Sequence, residues 1–246
     1  MDLYLISAFI FIIGTAVGSF VNVVALRMNT GLSFIKGDSR CLACNTKIQN
    51  SDLVPIFSYI NLSGRCAACK SRLPLGYFLV EIFSGLALLL LYLKFSLSSE
   101  FFLLTIIYYF LATIFIYDLR HKIIPDPLVF GFLFLSFLYA YFVIHNSIFY
   151  IFFSALLVPL PFFIIWLFSK GRLLGFGDIK LMAGLGALLG LNSGIMAVFI
   201  SFWIGAVYVI ILWVFKRKFS MKSEVPFAPF LILGTIVQFI FQFKLF

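Results

Sequence analysis

Long apolar runs separated by short polar segments make up almost the whole chain. An α-helix needs about 20 apolar residues to cross the hydrocarbon core of a bilayer, and within that core only helices and closed barrels satisfy their own backbone hydrogen bonds. The pattern predicts eight transmembrane helices, over residues 3–26, 77–93, 101–117, 128–144, 148–168, 179–191, 193–215 and 226–243. The predicted fold class is therefore an all-α polytopic membrane protein.

The sixth apolar run, residues 179–191, is short for a membrane crossing and rich in glycine. It is either a short spanning helix or a re-entrant segment. Gly184 and Gly186 lie inside this apolar run, where small residues let neighbouring helices approach each other. They indicate close helix packing rather than a phosphate-binding loop.

The longest polar segment, residues 27–76, separates the first two predicted helices. The chain thus divides into a first transmembrane helix (1–26), a polar lobe (27–76) and a seven-helix core (77–246). No basic residue precedes the first apolar run, and no small-x-small cleavage site follows it. We therefore expect this helix to be retained and not removed as a signal peptide.

The composition of the chain supports a membrane location. The chain has 246 residues, of which 63% are hydrophobic and 11% charged, and its mean hydropathy is +1.15. A soluble domain of this size cannot bury so much apolar surface. The expected surroundings are a lipid bilayer.

The net charge of +9 does not indicate nucleic-acid binding, because the basic residues occupy short loops between apolar runs. In membrane proteins, the short loops on the cytoplasmic side contain more Lys and Arg than the loops on the opposite side. If the N-terminus faces outside, every Lys and Arg except Lys94 and Lys244 falls on the cytosolic side. We therefore expect a cytosolic lobe and no nucleic-acid partner.

Four cysteines form two CxxC pairs within the polar lobe: Cys41, Cys44, Cys66 and Cys69. This spacing is typical of a structural Zn²⁺ site with four thiolate ligands. The alternatives are two disulfides, which the reducing cytosol disfavours, or thiols with no ligand. We predict a zinc lobe.

The segment Gly175-Phe176-Gly177-Asp178 places a carboxylate beside two glycines at the start of the sixth apolar run. An ionisable residue at a membrane boundary is costly and marks function, and glycine lets another backbone approach closely. The most plausible partner is Asp118, at the cytosolic end of the third predicted helix. Two carboxylates in one site share a proton, so one can activate water while the other polarises a peptide carbonyl.

Other interpretations of these acids stay open from the residues alone. Asp118 or Asp178 could instead be a helix cap paired with Arg120 or Lys180. Asp126 rivals Asp118, although its place before a proline is more typical of a cap. Glu81, near the start of the second predicted helix, either pairs with a loop arginine or faces a cofactor site.

Seven segments together carry a resemblance to a known family. They are Gly18-Ser19-Phe20-Val21-Asn22-Val23-Val24, Cys41 to Cys44, Gly64-Arg65-Cys66 with Cys69, Leu79-Val80-Glu81, Asp118 to Asp126, Gly175 to Lys180, and Phe227-Ala228-Pro229-Phe230-Leu231. In order and spacing they resemble the bacterial type IV prepilin peptidases, which are GxGD-type intramembrane aspartic proteases. The first CxxC lacks the proline of the family's usual CPxC, but its ligands are intact.

The resemblance implies a catalytic pair formed by Asp118 and Asp178. It also implies leader cleavage after glycine in prepilins or pseudopilins of type IV pili and secretion systems, at the cytosolic face of the inner membrane. The new N-terminal residue, commonly Phe, would then be N-methylated with S-adenosylmethionine. In the family the cysteine lobe, including Gly64 and Arg65, is tied to methylation.

Two other function classes compete with the peptidase. A transporter would carry polar residues deep in several helices, whereas here they collect at one face, with Glu81 as the main exception. A zinc-dependent assembly scaffold would not need its aspartates. The paired aspartates favour the peptidase.

Overall fold

The structure is a computed structural model that describes residues 3–215 and 225–243. All but the last residue of the predicted basic loop, residues 216–225, lie outside the described residues, as does Lys244. The membrane orientation expected from the charge pattern stays a prediction for the whole chain.

The described residues form α-helices, with no strand among them, and most connections are short except the segment 28–56 between α1 and α2. The helices are α1 Leu3–Arg27, α2 Phe57–Asn61, α3 Leu75–Phe95, α4 Ser99–His121, α5 Asp126–Phe142, α6 Ile148–Leu157, α7 Leu160–Ser169, α8 Phe176–Leu189, α9 Leu191–Phe215 and α10 Ala228–Phe241, with a 3₁₀ turn at Asn50–Leu53. The all-α fold predicted from the apolar runs is confirmed.

Among the described residues, five helical spans are long and apolar enough to cross a membrane. They are Tyr4–Arg27, Leu75–Phe95, Ser99–His121, Ile148–Ser169 and Leu191–Phe215. Many large apolar side chains point outward from these helices, as Phe149 does with 89% of its surface exposed. Such a surface is stable in lipid and not in water, so the protein is a polytopic membrane protein.

The fifth predicted helix is one segment in sequence but two helices in the structure. Helix α6 ends at Leu157 and α7 begins at Leu160, with Pro159 between them in a helical conformation. Proline lacks an N–H and its ring clashes with the preceding turn, so it interrupts the hydrogen-bond ladder of a helix. The hydropathy pattern did not reveal this break, although the proline was visible.

The chain folds as two compact units, the first of which is Met1–Thr105. In this unit α1 packs against α3 through glycines. A Cβ at Gly14 would lie 2.8 Å from the Cα of Gly85, and one at Gly18 would lie 2.6 Å from the Cβ of Ser84. Small residues thus bring the two helices into backbone contact, which fixes the end of α1 and the start of α3, the two points that carry the lobe.

In the second unit, Ile106–Phe246, helix α8 is packed against α5, α6, α7, α9 and α10. A Cβ at Gly184 would overlap the ring of Phe132, and one at Gly186 would overlap the carbonyl of Ser154. The prediction that these glycines serve close helix packing is confirmed. With 14 residues, α8 is about 21 Å long, shorter than a bilayer core of about 30 Å.

Candidate functional site

Asp118 lies in the last turn of α4 and exposes only 4% of its surface. Its Oδ2 accepts a hydrogen bond of 3.2 Å from the backbone N–H of Ala228, the first residue of α10. The carboxyl therefore lies at the N-terminus of a helix, where the free N–H groups and the helix dipole favour negative charge.

Asp178 lies in the first turn of α8 and exposes 9% of its surface. Its N–H donates to the carbonyl of Gly175 at 3.2 Å, and its carboxyl is the hydrogen-bonding partner of the Gly175 N–H. A Cβ at Gly175 would lie 3.1 Å from Oδ2 of Asp178. The absence of a side chain at Gly175 thus lets the carboxyl fold back onto its own helix N-terminus.

Gly177 determines what packs beside Asp178. A Cβ at this position would lie 3.0 Å from the Cβ of Ile124, a buried residue of the connection that follows α4. Within the chain, the group that lies against this glycine is the side chain of Ile124; close approach of a substrate backbone stays a prediction. The contact holds the first turn of α8 against the segment that comes directly after Asp118.

The structure therefore brings Asp118 and Asp178 together. Both are buried in the same unit, and the Asp118 carboxyl acts electrostatically on that of Asp178. Each also lies at the N-terminus of a helix, α10 for Asp118 and α8 for Asp178. Two helix dipoles thus stabilise the negative charge that such a pair carries when it holds one proton.

Asp126 belongs to a different set of contacts. It is the first residue of α5, its side chain is 59% exposed, and it forms an ion pair with Lys180. The ammonium group of Lys180 also lies over the rings of Phe130, at 5.6 Å, and Phe176, at 5.3 Å. Lys180 thus pairs with Asp126 and not with Asp178, which was the alternative suggested by the sequence.

The four cysteines meet at one point in the first unit. Their Sγ atoms all lie within 4.8 Å of one another, and Cys41 and Cys69 are 3.9 Å apart. Four thiolates at about 2.3 Å from a tetrahedral Zn²⁺ are separated by nearly the same distance. The donor set and its spacing fit zinc, and all four residues are free thiols.

The two CxxC pairs have the same backbone geometry. In the first, Cys41 N–H donates to Thr46 and its carbonyl accepts from Asn45; in the second, Cys66 N–H donates to Ser71 and its carbonyl accepts from Lys70. The residue after each pair has a positive φ, 57° at Asn45 and 58° at Lys70. Each pair is thus a tight turn that aims two sulfurs at one side.

Neighbouring groups also favour the thiolate form at Cys41. The backbone N–H groups of Cys44 and Ala43 and the hydroxyl of Ser71 lower the pKa of the Cys41 thiol to about 6. The thiolate is the form that binds a metal. Cys41 therefore favours the protonation state that a metal ligand needs.

Two family models match most of the chain. The Bacterial Peptidase A24 N-terminal domain matches residues 12–95, and the Type IV leader peptidase family matches residues 105–210. The chain belongs to the type IV leader peptidase family. It is accordingly a peptidase, and the family resemblance noted in its motifs is confirmed.

Several curated proteins are similar to this family member along nearly their whole length, and each carries the name prepilin leader peptidase/N-methyltransferase. The protein of Vibrio cholerae serotype O1 is 28% identical over 93% of this chain and 94% of its own length. That of Bacillus subtilis is 28% identical over 94% and 93%, and that of Pseudomonas aeruginosa is 26% identical over 91% and 86%. No solved structure matches the chain.

One contact of this leader peptidase was not foreseen from its sequence. Phe227-Ala228-Pro229-Phe230-Leu231 was recognised only as a motif, yet its Ala228 N–H is the partner of Asp118. Proline is common at the first positions of a helix, and Pro229 does mark the start of α10. The proline thus indicated the N-terminus of α10 from sequence, but it did not indicate that this N-terminus contacts the carboxyl of Asp118.

The structure also defines the surroundings of Glu81. Its Oε2 accepts a hydrogen bond of 2.8 Å from the N–H of Ile56, and it lies in the wall of a cavity. Of the two alternatives considered from sequence, pairing with a loop arginine is not found among the described residues. The peptidase thus contains a second polar site, in the unit that holds the cysteines.

Proposed function

We propose that this protein cleaves the leader peptide from type IV prepilin-like proteins, with Asp118 and Asp178 as a catalytic pair. The observation that supports this most directly is the burial of both carboxyls in one unit, in electrostatic contact and each at a helix N-terminus. Structural caps do not require two acids to share a buried site, since bringing like charges together is costly.

In the proposed reaction the pair holds one proton between its two carboxyls. The ionised carboxyl accepts a proton from a water molecule as the water oxygen attacks the scissile carbonyl, and the protonated carboxyl donates a hydrogen bond to the carbonyl oxygen. The C–N bond then breaks, and the leaving amine takes up the proton that the first carboxyl accepted from water, which restores the singly protonated pair. Ala228 N–H and Gly175 N–H keep the two side chains oriented through this exchange.

The substrate follows from the relatives, whose names specify prepilins, and from the location of the acids. A prepilin-like substrate combines a short basic leader with an apolar helix that can enter the bilayer. A helical peptide bond is internally hydrogen-bonded, so the substrate must unwind at the cut, and a glycine there makes unwinding easier. We place the cut at the cytosolic face of the inner membrane, as the positive-inside pattern predicts.

The relatives' names also support N-methylation of the new N-terminal residue. S-adenosylmethionine supplies the methyl group for such a reaction. We assign the zinc-binding lobe a structural role in this second activity, because four thiolates leave no open coordination position on Zn²⁺ for a substrate.

The proposal is tested with purified protein in detergent and a purified prepilin, whose N-terminus is followed by mass spectrometry. Asp118→Asn and Asp178→Asn should each lower kcat/KM for leader cleavage by about 1,000-fold or more. Asp126→Asn is the matched control, since Asp126 is close in sequence but paired with Lys180. Loss of cleavage in Asp126→Asn together with retention in Asp118→Asn would refute the assignment.

A further inference from the structure

An open cavity of about 860 Å³ lies within the first unit, bordered by the end of α1, the lobe, α2 and the start of α3. Its size is within the range of small-molecule sites, about 300–1,000 Å³. The proposed peptidase chemistry does not use it, because Asp118 and Asp178 belong to the second unit.

Glu81 supplies a negative charge to this cavity. The side chain is half-buried, with one oxygen occupied by the Ile56 N–H at 2.8 Å, and the hydroxyl of Ser19 is a further partner. No Lys or Arg of the described residues forms an ion pair with it. Removing a carboxylate from water without a cation is costly, and a cationic ligand in the cavity would offset that cost.

Asn22 supplies an unused hydrogen-bond acceptor in the same wall of the cavity. It exposes only 5% of its surface, and its Nδ2 donates to the carbonyl of Tyr77 at 3.3 Å. Its Oδ1 is buried without a hydrogen-bond partner in the described part of the chain. Native proteins rarely leave a buried acceptor unpaired, so the position calls for a ligand with N–H or O–H donors.

Tyr59 and Phe78 add a flat apolar surface to the cavity wall. Their rings are stacked on each other, with centroids 4.9 Å apart. Gly64 fixes this arrangement, because its φ is +66° and a Cβ there would lie 2.8 Å from the Tyr59 hydroxyl oxygen. The glycine of the Gly64-Arg65-Cys66 motif thus connects the metal site to an aromatic wall of the kind on which a nucleobase packs.

We propose that this cavity binds S-adenosylmethionine, with its sulfonium group near Glu81, its ammonium group near Asn22 and its adenine against Tyr59 and Phe78. Arg40 and Arg72, which also line the cavity, suit the carboxylate of the same ligand. The inference rests on the proposed N-methylation. In that step the lone pair of the substrate's N-terminal amine attacks the methyl carbon, the C–S bond breaks to leave S-adenosylhomocysteine, and the nitrogen releases a proton to solvent.

The test is calorimetric binding to the purified, zinc-loaded full-length protein, with two probes: S-adenosylmethionine and its product S-adenosylhomocysteine, which lacks the sulfonium charge but keeps the ammonium and carboxylate groups. The wild type should bind the sulfonium form more tightly, and Glu81→Gln should weaken that binding about tenfold while leaving the affinity for S-adenosylhomocysteine nearly unchanged. Glutamine still accepts from the Ile56 N–H, so zinc content should stay at the wild-type value. Tyr59→Leu should weaken both ligands alike, since it removes the aromatic wall and no charge.

Ser84→Ala is the matched control, because Ser84 is a buried, unpartnered side chain on the same helix that does not line the cavity. If the wild-type protein methylates its substrate but Glu81→Gln binds S-adenosylmethionine with wild-type affinity, the inference is overturned. It is also overturned if Glu81→Gln loses affinity only for a peptide with an N-terminal Phe, because the cavity would then be the site of the amine substrate. Absence of methylation by the wild-type protein would instead refute the proposed function.

Discussion

Replacing Gly177 with alanine tests whether the two aspartates depend on a glycine contact. The added Cβ would lie 3.0 Å from the Cβ of Ile124 and 3.4 Å from both its Cγ1 and its Cδ1. Ordinary contacts between carbon atoms are about 3.5–4.0 Å. Either the segment after α4 or the first turn of α8 must therefore move by about 0.5 Å or more, and these are the elements that carry Asp118 and Asp178.

The expected effect falls on activity more than on stability. A misplacement of about 1 Å can lower a rate about 100-fold, so a shift of half that size should lower kcat/KM for leader cleavage about tenfold. Overpacking costs about 1–3 kcal/mol, whereas replacing glycine by alanine in a helix contributes up to about 1 kcal/mol. The free energy of unfolding should therefore fall by no more than about 2 kcal/mol.

The assay measures kcat/KM for leader cleavage in detergent, together with the thermal midpoint Tm of each variant. Gly76→Ala is the control, because nothing lies within 4 Å of a Cβ at that helical position. Adding Ile124→Gly to Gly177→Ala removes all three close atoms, including the Cβ at 3.0 Å, and should restore part of the activity. Wild-type kcat/KM in Gly177→Ala, or an equal loss in Gly76→Ala, would refute the reasoning.

Three further variants separate the roles of neighbouring groups. Asp126→Asn should keep kcat/KM for cleavage within about threefold of the wild type, since a partly exposed ion pair contributes about 1 kcal/mol or less; a loss of 100-fold would place Asp126 in the active site. Cys66→Ser should lower zinc content and abolish N-methylation while leader cleavage continues, as metal analysis and mass spectrometry would show; unchanged zinc would remove Cys66 from the metal site. Gly64→Ala should weaken S-adenosylmethionine binding more than Gly31→Ala does. Both glycines have positive φ, but only at Gly64 would a Cβ meet Tyr59, so equal effects would show that the clash is irrelevant.

The helices were predictable from local properties of the chain. Each apolar run is a sum of transfer free energies that depend on residue type alone, and all eight predicted segments are helical. The break between α6 and α7 was missed because the apolar run continues through Pro159. In that case backbone chemistry and not hydropathy ended the helix.

The cysteine cluster was also predictable, since each CxxC pair forms a local turn and four thiolates at this spacing are typical of a metal site. The partners of the acids were harder to predict. Asp118 is 110 positions from Ala228, and Glu81 is 25 positions from Ile56. No periodicity or motif specifies which backbone N–H a buried carboxyl will meet over such distances.

The amino-acid sequence by itself thus determined the membrane-spanning helical architecture and the cysteine cluster, because these depend on residue type and spacing, and it singled out Asp118 and Asp178 as a candidate pair without excluding Asp126. Only the tertiary structure decided that Lys180 pairs with Asp126, that two helix N-termini meet the aspartates, and that Glu81 and Asn22 face a common cavity. These contacts depend on how closely glycines let particular helices approach one another. That distance is a property of tertiary packing and cannot be predicted from any single segment of the sequence.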